Sequence, residues 1–203
     1  MTTEYPQDLQ EVIRFHGHMC PGLAIGYRAA LAARAHLGFE RAEDEELVAV
    51  VESDGCGVDA IQAMLSCTLG KGNLIYQDHG KQVFTIICRK RGQAVRVAMK
   101  PGPFHRTPEQ EAVFQKVLNG QASEAETESF QAFQKERVDE ILATNEEKLF
   151  KIEGVAPEAP SRARIFKSAT CELCGEPVME PRARIRDGKI ACIPCSENYS
   201  RGW

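Results

Sequence analysis

The chain has 203 residues, of which 43% are hydrophobic and 27% charged, with a formal net charge of -4. Those totals describe a folded protein with one sizeable core and room for a small appended module. They exclude a disordered chain and a globally basic nucleic-acid binder, and no apolar run approaches the ~18 residues that span a bilayer. The start, MTTEYPQDLQEV, carries neither a basic nor an apolar leader segment, so a cytoplasmic setting with reduced thiols is expected.

In chain order, residues 5–15 predict a short first helix with Leu9, Val12 and Ile13 on one side. Residues 21–37 predict a second. Pro21 suits a first helical position, and Leu23, Ile25, Tyr27, Ala30, Leu31 and Ala35 form a broad apolar surface. Gly38 stops it, and residues 40–46 form an acidic loop. Leu47 to Val51 reads as a short buried strand running into Ser53-Asp54-Gly55-Cys56-Gly57. A third helix is expected over Val58 to Leu69, ending at Gly70-Lys71-Gly72-Asn73. Residues 82–89 and 93–99 predict a hairpin across Lys90-Arg91-Gly92, and residues 108–119 and 124–149 predict two further helices.

The expected fold is therefore α+β, with helices packed on a small, mainly antiparallel sheet. The core domain spans residues 1–152 and a linker with Pro157 and Pro160 spans 153–166. Residues 167–203 form a tail too small to bury a useful core of its own.

That tail holds Cys171-Glu172-Leu173-Cys174 and Cys192-Ile193-Pro194-Cys195, with seventeen residues between the pairs. Two such pairs, each straddling a tight turn, close a tetrahedral four-cysteine zinc site, and zinc then supplies the folding energy of the ribbon. Between the pairs, residues 181–190 fit a β-arm with Arg182, Arg184 and Arg186 on one face. Three arginines, with Tyr199 and Trp203 at the far end, are too few for a phosphate track or a stacking platform. A nucleic-acid partner is not expected.

A second constellation lies near the start, in His16-Gly17-His18-Met19-Cys20-Pro21-Gly22. Cys20 and Cys56 each precede a helix start, where unpaired N–H groups and the helix dipole lower a thiol pKa. His16 and His18 stand just before the first thiol, and Asp54 and Asp59 bracket the second. Such a cluster can hold a second transition metal, with His16, His18, Cys20 and Cys56 as candidate ligands, or support thiolate–histidine chemistry. Three protein ligands with an open fourth position are the catalytic version of a zinc site. The loop with Lys71 and Asn73, followed by Tyr76, Asp78 and His79, has the composition of a ligand-contacting edge without a P-loop pattern. Cys67 stands about three helical turns from Cys56 on an unbroken helix, too far to share one metal. Cys88 reads as strand core, and His36 and His105 as surface or structural residues.

The strings FHGHMCPG, CGVDAIQ, SCTLGKGN, DHGK and FTI occur in that order across residues 15–86. With them the chain resembles the E-subunit family of formylmethanofuran dehydrogenase, and CELCGE with CIPC resembles the zinc-ribbon extension of many members. The resemblance implies an α+β domain that pairs into homodimers. It places His18, Cys20 and Cys56 in a cleft suspected as the active site, with His16, Asp59, Cys67, Lys71 and Asn73 near it. It also implies an accessory or metabolic role beside a molybdenum or tungsten oxidoreductase complex, whose pterin site belongs to other subunits. A thiolate–metal enzyme acting on a small molecule, and a ribbon-based adaptor, are the alternatives.

Overall fold

A computed structural model describes residues 5–102 and 106–196, so His105, Tyr199 and Trp203 lie outside the described residues. The chain divides into two units, Met1–Arg162 and Ala163–Trp203.

The first unit opens with α1 (Gln7–His16) and α2 (Pro21–Leu37), followed by β1 (Leu47–Val51), α3 (Gly57–Leu65) and β2 (Leu74–Tyr76). The hairpin β3 (Val83–Cys88) and β4 (Gln93–Met99) comes next, then α4 (Pro108–Leu118), α5 (Glu124–Ala143), a single turn α6 (Glu146–Leu149) and β5 (Phe150–Val155). The sheet order is β2-β1-β3-β4-β5; only β1 and β2 run parallel, with α3 as their crossover. This is the mainly antiparallel α+β arrangement.

Alternation along the strands builds the core. Leu47, Ala49 and Val51 of β1, Phe84 and Ile86 of β3, and Val95 and Val97 of β4 pack with α1, α2, α3 and α5. The opposite face carries a smaller cluster of Val48, Ile87 and Ala94, against which Ala159 rests. Ten of the seventeen residues of α2 are buried, so its broad apolar surface is covered within the chain by its own helices and sheet. Arg28 fastens it further, its guanidinium donating to the carbonyls of Ile141 and Leu142 near the end of α5 at 2.7 and 2.6 Å. Among the described residues no helix is long and apolar enough to cross a membrane.

Three expected boundaries shift. The third helix stops at Leu65 rather than Leu69, because Ser66 turns into the left-handed region at φ 57°. The buried amide of Asn73 holds that turn, donating to Leu47 O and Asp44 O and accepting from Thr68 N–H. The expected helix over 124–149 ends at Ala143, where Thr144 adopts extended backbone. The sheet then gains a fifth strand at Phe150–Val155, where the sequence reads as helix end and linker. Six residues with a short alternation, following helical periodicity, give too little local signal; the β4 edge supplies the pairing.

In the second unit β6 (Ser168–Thr170) pairs with β7 (Pro177–Met179), and β8 (Arg184–Arg186) with β9 (Lys189–Ala191). The expected arm of three aligned arginines is not formed. A 3₁₀ turn over Glu180–Arg182 interrupts it, and Arg186 folds back to donate to Cys195 O at 2.7 Å.

Candidate metal centres and their clefts

Two groups of side chains bring metal-ligating atoms within 4.8 Å of one another: Cys171, Cys174, Cys192 and Cys195, and separately His16, Cys20 and Cys56.

The four-cysteine group is built from short-range geometry. The first knuckle turns on Gly175, whose N–H donates to Cys171 O at 2.8 Å with φ 79°. The second is a 3₁₀ turn in which Cys195 N–H donates to Cys192 O at 3.1 Å. Glu172 joins them: its N–H donates to Ile190 O at 2.8 Å, and its carboxylate accepts from Ile190 N–H at 2.7 Å. Tetrahedral zinc with Zn–S bonds of about 2.3 Å sets sulfurs about 3.8 Å apart, and Cys174 and Cys192 stand at 3.9 Å. Backbone N–H groups of Cys174 and Cys192 lower the Cys171 thiol to about 6, while the neighbouring cysteines raise Cys195 to about 12. Apposed thiols resist shared ionisation, and a dication relieves that repulsion. The tail carries a zinc site of the four-cysteine type.

The N-terminal group depends on how three helices meet. His16 is the last residue of α1, and Gly17 caps it in the left-handed region at φ 98°, turning the chain toward Cys20. Cys20 and Cys56 are the N-cap residues of α2 and α3. Those two starts come together because the helices cross at glycines. A Cβ on Gly26 would lie 2.2 Å from Gly57 O, and one on Gly22 would lie 3.2 Å from Cys56 Cβ. Larger residues at the crossing would separate the thiols.

His16 is oriented from behind. Its Nδ1–H donates to Asp59 Oδ2 at 2.7 Å, and Asp59 Oδ1 accepts from Gln62 Nε2 at 3.1 Å. This leaves the Nε2 lone pair facing the sulfurs, with Cys20 Sγ 4.0 Å away. A carboxylate behind a histidine is the usual outer partner of a metal-bound imidazole. Tetrahedral bonds of about 2.05 and 2.3 Å would set that nitrogen and sulfur about 3.6 Å apart, so a small closure suffices. Two soft thiols with one imidazole form a donor set suited to zinc or a similar transition ion.

The expected lowering of the Cys20 thiol is reversed. Burial pushes it up; the Leu23 N–H at 3.4 Å pulls it down, and the adjacent Cys56 adds to the rise. The helix N-terminus is present, but desolvation and a like neighbour outweigh it.

His18 is not among the converging donors of this group. Its ring lies 4.6 Å from that of His16 and faces a cavity of about 460 Å³ lined also by Cys20, Met19, Phe130 and Lys135. His16 and Cys56 open on the other side into a cavity of about 470 Å³, walled by Val51, Val58, Leu74 and Tyr76. That second cleft lies at the carboxyl ends of the parallel strands β1 and β2, a common place for ligands in sheets with a parallel crossover.

Cys67 is fully buried, and burial pushes its thiol up to about 12. Lys71 and Asn73, read from the sequence as ligand contacts, are engaged by the loop itself. Asn73 is fully buried in the bonds already described, and Lys71 Nζ donates to Glu43 O, Asp44 O and Ser66 Oγ. Sequence reasoning also left the α5 wall of the first cleft unnoticed; the helical spacing of Phe130 and Phe133 signals an apolar stripe but not what it faces.

Against known proteins, residues 164–201 match the family described as prokaryotic dksA/traR C4-type zinc finger. A curated relative from Archaeoglobus fulgidus, described as a probable S-adenosyl-L-methionine-binding protein, is 36% identical over 192 residues, covering 91% of this chain and 51% of its own. The chain thus spans about half the length of that relative. A solved FmdE-like protein of the tungsten formylmethanofuran dehydrogenase type, from Syntrophus aciditrophicus, superimposes with a TM-score of 0.60 at 21% identity, over 92% of this chain and 89% of that one. Residues 15–151 match the family described as FmdE, molybdenum formylmethanofuran dehydrogenase operon, and with two-thirds of its length inside that match the chain belongs to the FmdE family.

Proposed function

We propose that this is a metal-binding protein whose core, besides the ribbon zinc, holds a second transition metal on His16, Cys20 and Cys56. Its setting would be molybdenum- or tungsten-dependent one-carbon chemistry, as a homodimeric, cytoplasmic accessory or metabolic partner of a larger oxidoreductase. The convergence of one imidazole nitrogen and two thiol sulfurs within 4.8 Å, between two clefts, carries this reading. The FmdE match supports the setting.

In a three-ligand site, a bound zinc-type ion supplies a Lewis-acidic fourth position. The chain's own residues supply the rest. Asp59 fixes the His16 tautomer so that Nε2 presents a lone pair to the ion. The N-cap position of Cys20, with the Leu23 N–H directed at its sulfur, stabilises the thiolate once a cation offsets the cost of burial. His18, at the rim of the first cleft, stands where a neutral imidazole can exchange a proton with a molecule bound beside Cys20.

The test is metal stoichiometry on the full chain purified without added zinc, comparing wild type with a Cys20→Ala/Cys56→Ala variant. About two metals per chain falling to about one is expected, because the ribbon keeps its own. About one metal in both proteins would overturn the second centre and favour a thiol-only cleft.

A further inference from the structure

The cleft at the carboxyl ends of β1 and β2 has walls that say what else it takes. Its apolar surface comes from Val51, Val58, Leu74, Leu69 and the Tyr76 ring, and Leu69 and Tyr76 remain 78% and 49% exposed. Its charged lining residues are two aspartates; no lysine or arginine lines it. Asp59 has both oxygens engaged, by His16 and by Gln62. Asp54 makes no hydrogen bond or ion pair among the described residues, although it lines the same cavity. The buried Ser53 hydroxyl on the same wall also has no partner there.

Filling the metal site does not change this balance. A dication on two thiolates and a neutral imidazole sums to zero, so the charge of Asp54 stays uncompensated whether or not the centre is loaded. Partial burial raises the Tyr76 phenol first, followed by its bond to Asp78 and the charge of Asp54, so a further carboxylate crowds the same mouth. An apolar cavity with a few convergent polar groups is the usual form of a small-molecule site, and an aromatic face beside carboxylates favours a cation.

We infer that this cleft binds a small organic cation, an ammonium or sulfonium on an apolar body, with the positive centre against Asp54 and the body on Tyr76 and Leu69. The inference goes beyond the metal reading and does not require it.

The test titrates two probes of similar size into the full-length protein, followed by protein-observed NMR: benzyltrimethylammonium, and the neutral benzyl tert-butyl ether. Saturable binding of the cation, with the ether at least about tenfold weaker, is expected. Asp54→Asn, at an exposed position, should weaken the cation about tenfold and leave the ether unchanged. The Cys20→Ala/Cys56→Ala variant should keep cation binding whatever its metal count, which separates this idea from the second metal centre. Equal affinity for the two probes, no saturable binding, an unaffected Asp54→Asn variant, or loss of binding in the double variant would each overturn it.

Discussion

The two sulfur-rich clusters of this chain are made in opposite ways. In the tail, each pair of cysteines sits on one tight turn, and the strands on either side are three residues long. Near the N-terminus, the donors come from the end of one helix and the starts of two others, spread over residues 16–56. The tail has a buried core of Cys171, Ala191 and Cys192 alone, whereas the N-terminal cluster rests on a core of more than two dozen buried residues. A metal is therefore the cause of structure in the first and a guest of structure in the second.

The largest expected effect follows directly. Removing zinc with a strong chelator should unfold the tail outright while the first unit keeps its melting temperature. Loss of amide protection confined to residues 163–196, read by hydrogen exchange, is the expected pattern. Cooperative loss across both units would show that the contrast is wrong.

Next in size is the helix crossing. Gly26→Ala places a methyl against the Gly57 backbone, and overpacking of this kind costs about 1–3 kcal/mol or more. A lower melting temperature should come with fewer metals in the core, because the two N-caps are forced apart. Gly70→Ala, with nothing within 4 Å of the added carbon, is the control and should change neither.

A smaller effect is expected behind His16. Asp59→Asn removes the carboxylate that fixes the imidazole, and losses of this type reduce metal affinity about 10–100-fold. Competition with a chelating dye should detect that loss in the core centre and none in the ribbon. Equal weakening of both centres would remove Asp59 from the site.

The smallest effect concerns Cys67. In the folded protein burial holds this thiol protonated to about 12, against an ordinary value of 9.0 when unfolded. Between those values the unfolded state binds fewer protons, so stability falls as pH rises. Urea melts at about pH 8 and about pH 10 should show a loss of about 1 kcal/mol in wild type that Cys67→Ala lacks. A cleft thiol at that position would titrate near its ordinary value, and the two proteins would then respond alike.

How much of this could be read from the sequence follows the same division. The ribbon ligands were legible because a two-residue spacing on a turn is local chemistry. The first two helices, the buried strand and the β3–β4 hairpin were legible from periodicity and their glycine stops. The strand β5 was not, since only the exposed edge of β4 makes Phe150–Val155 a strand. Asn73 resembled a ligand contact by composition, yet a fully buried amide is used up by the carbonyls around it.

By itself the sequence determined the α+β class, the four-cysteine zinc site and the presence of histidines and thiols near the helix starts, because turns, caps and periodic faces depend on neighbours along the chain. Only the tertiary structure decided that His16 rather than His18 joins Cys20 and Cys56. Only it decided that Asp59 stands behind the imidazole and that Asp54 is left facing a cleft. Those outcomes depend on a crossing of two helices so close that it admits no side chain at Gly26, and such a distance is a property of packing rather than of any local run of residues.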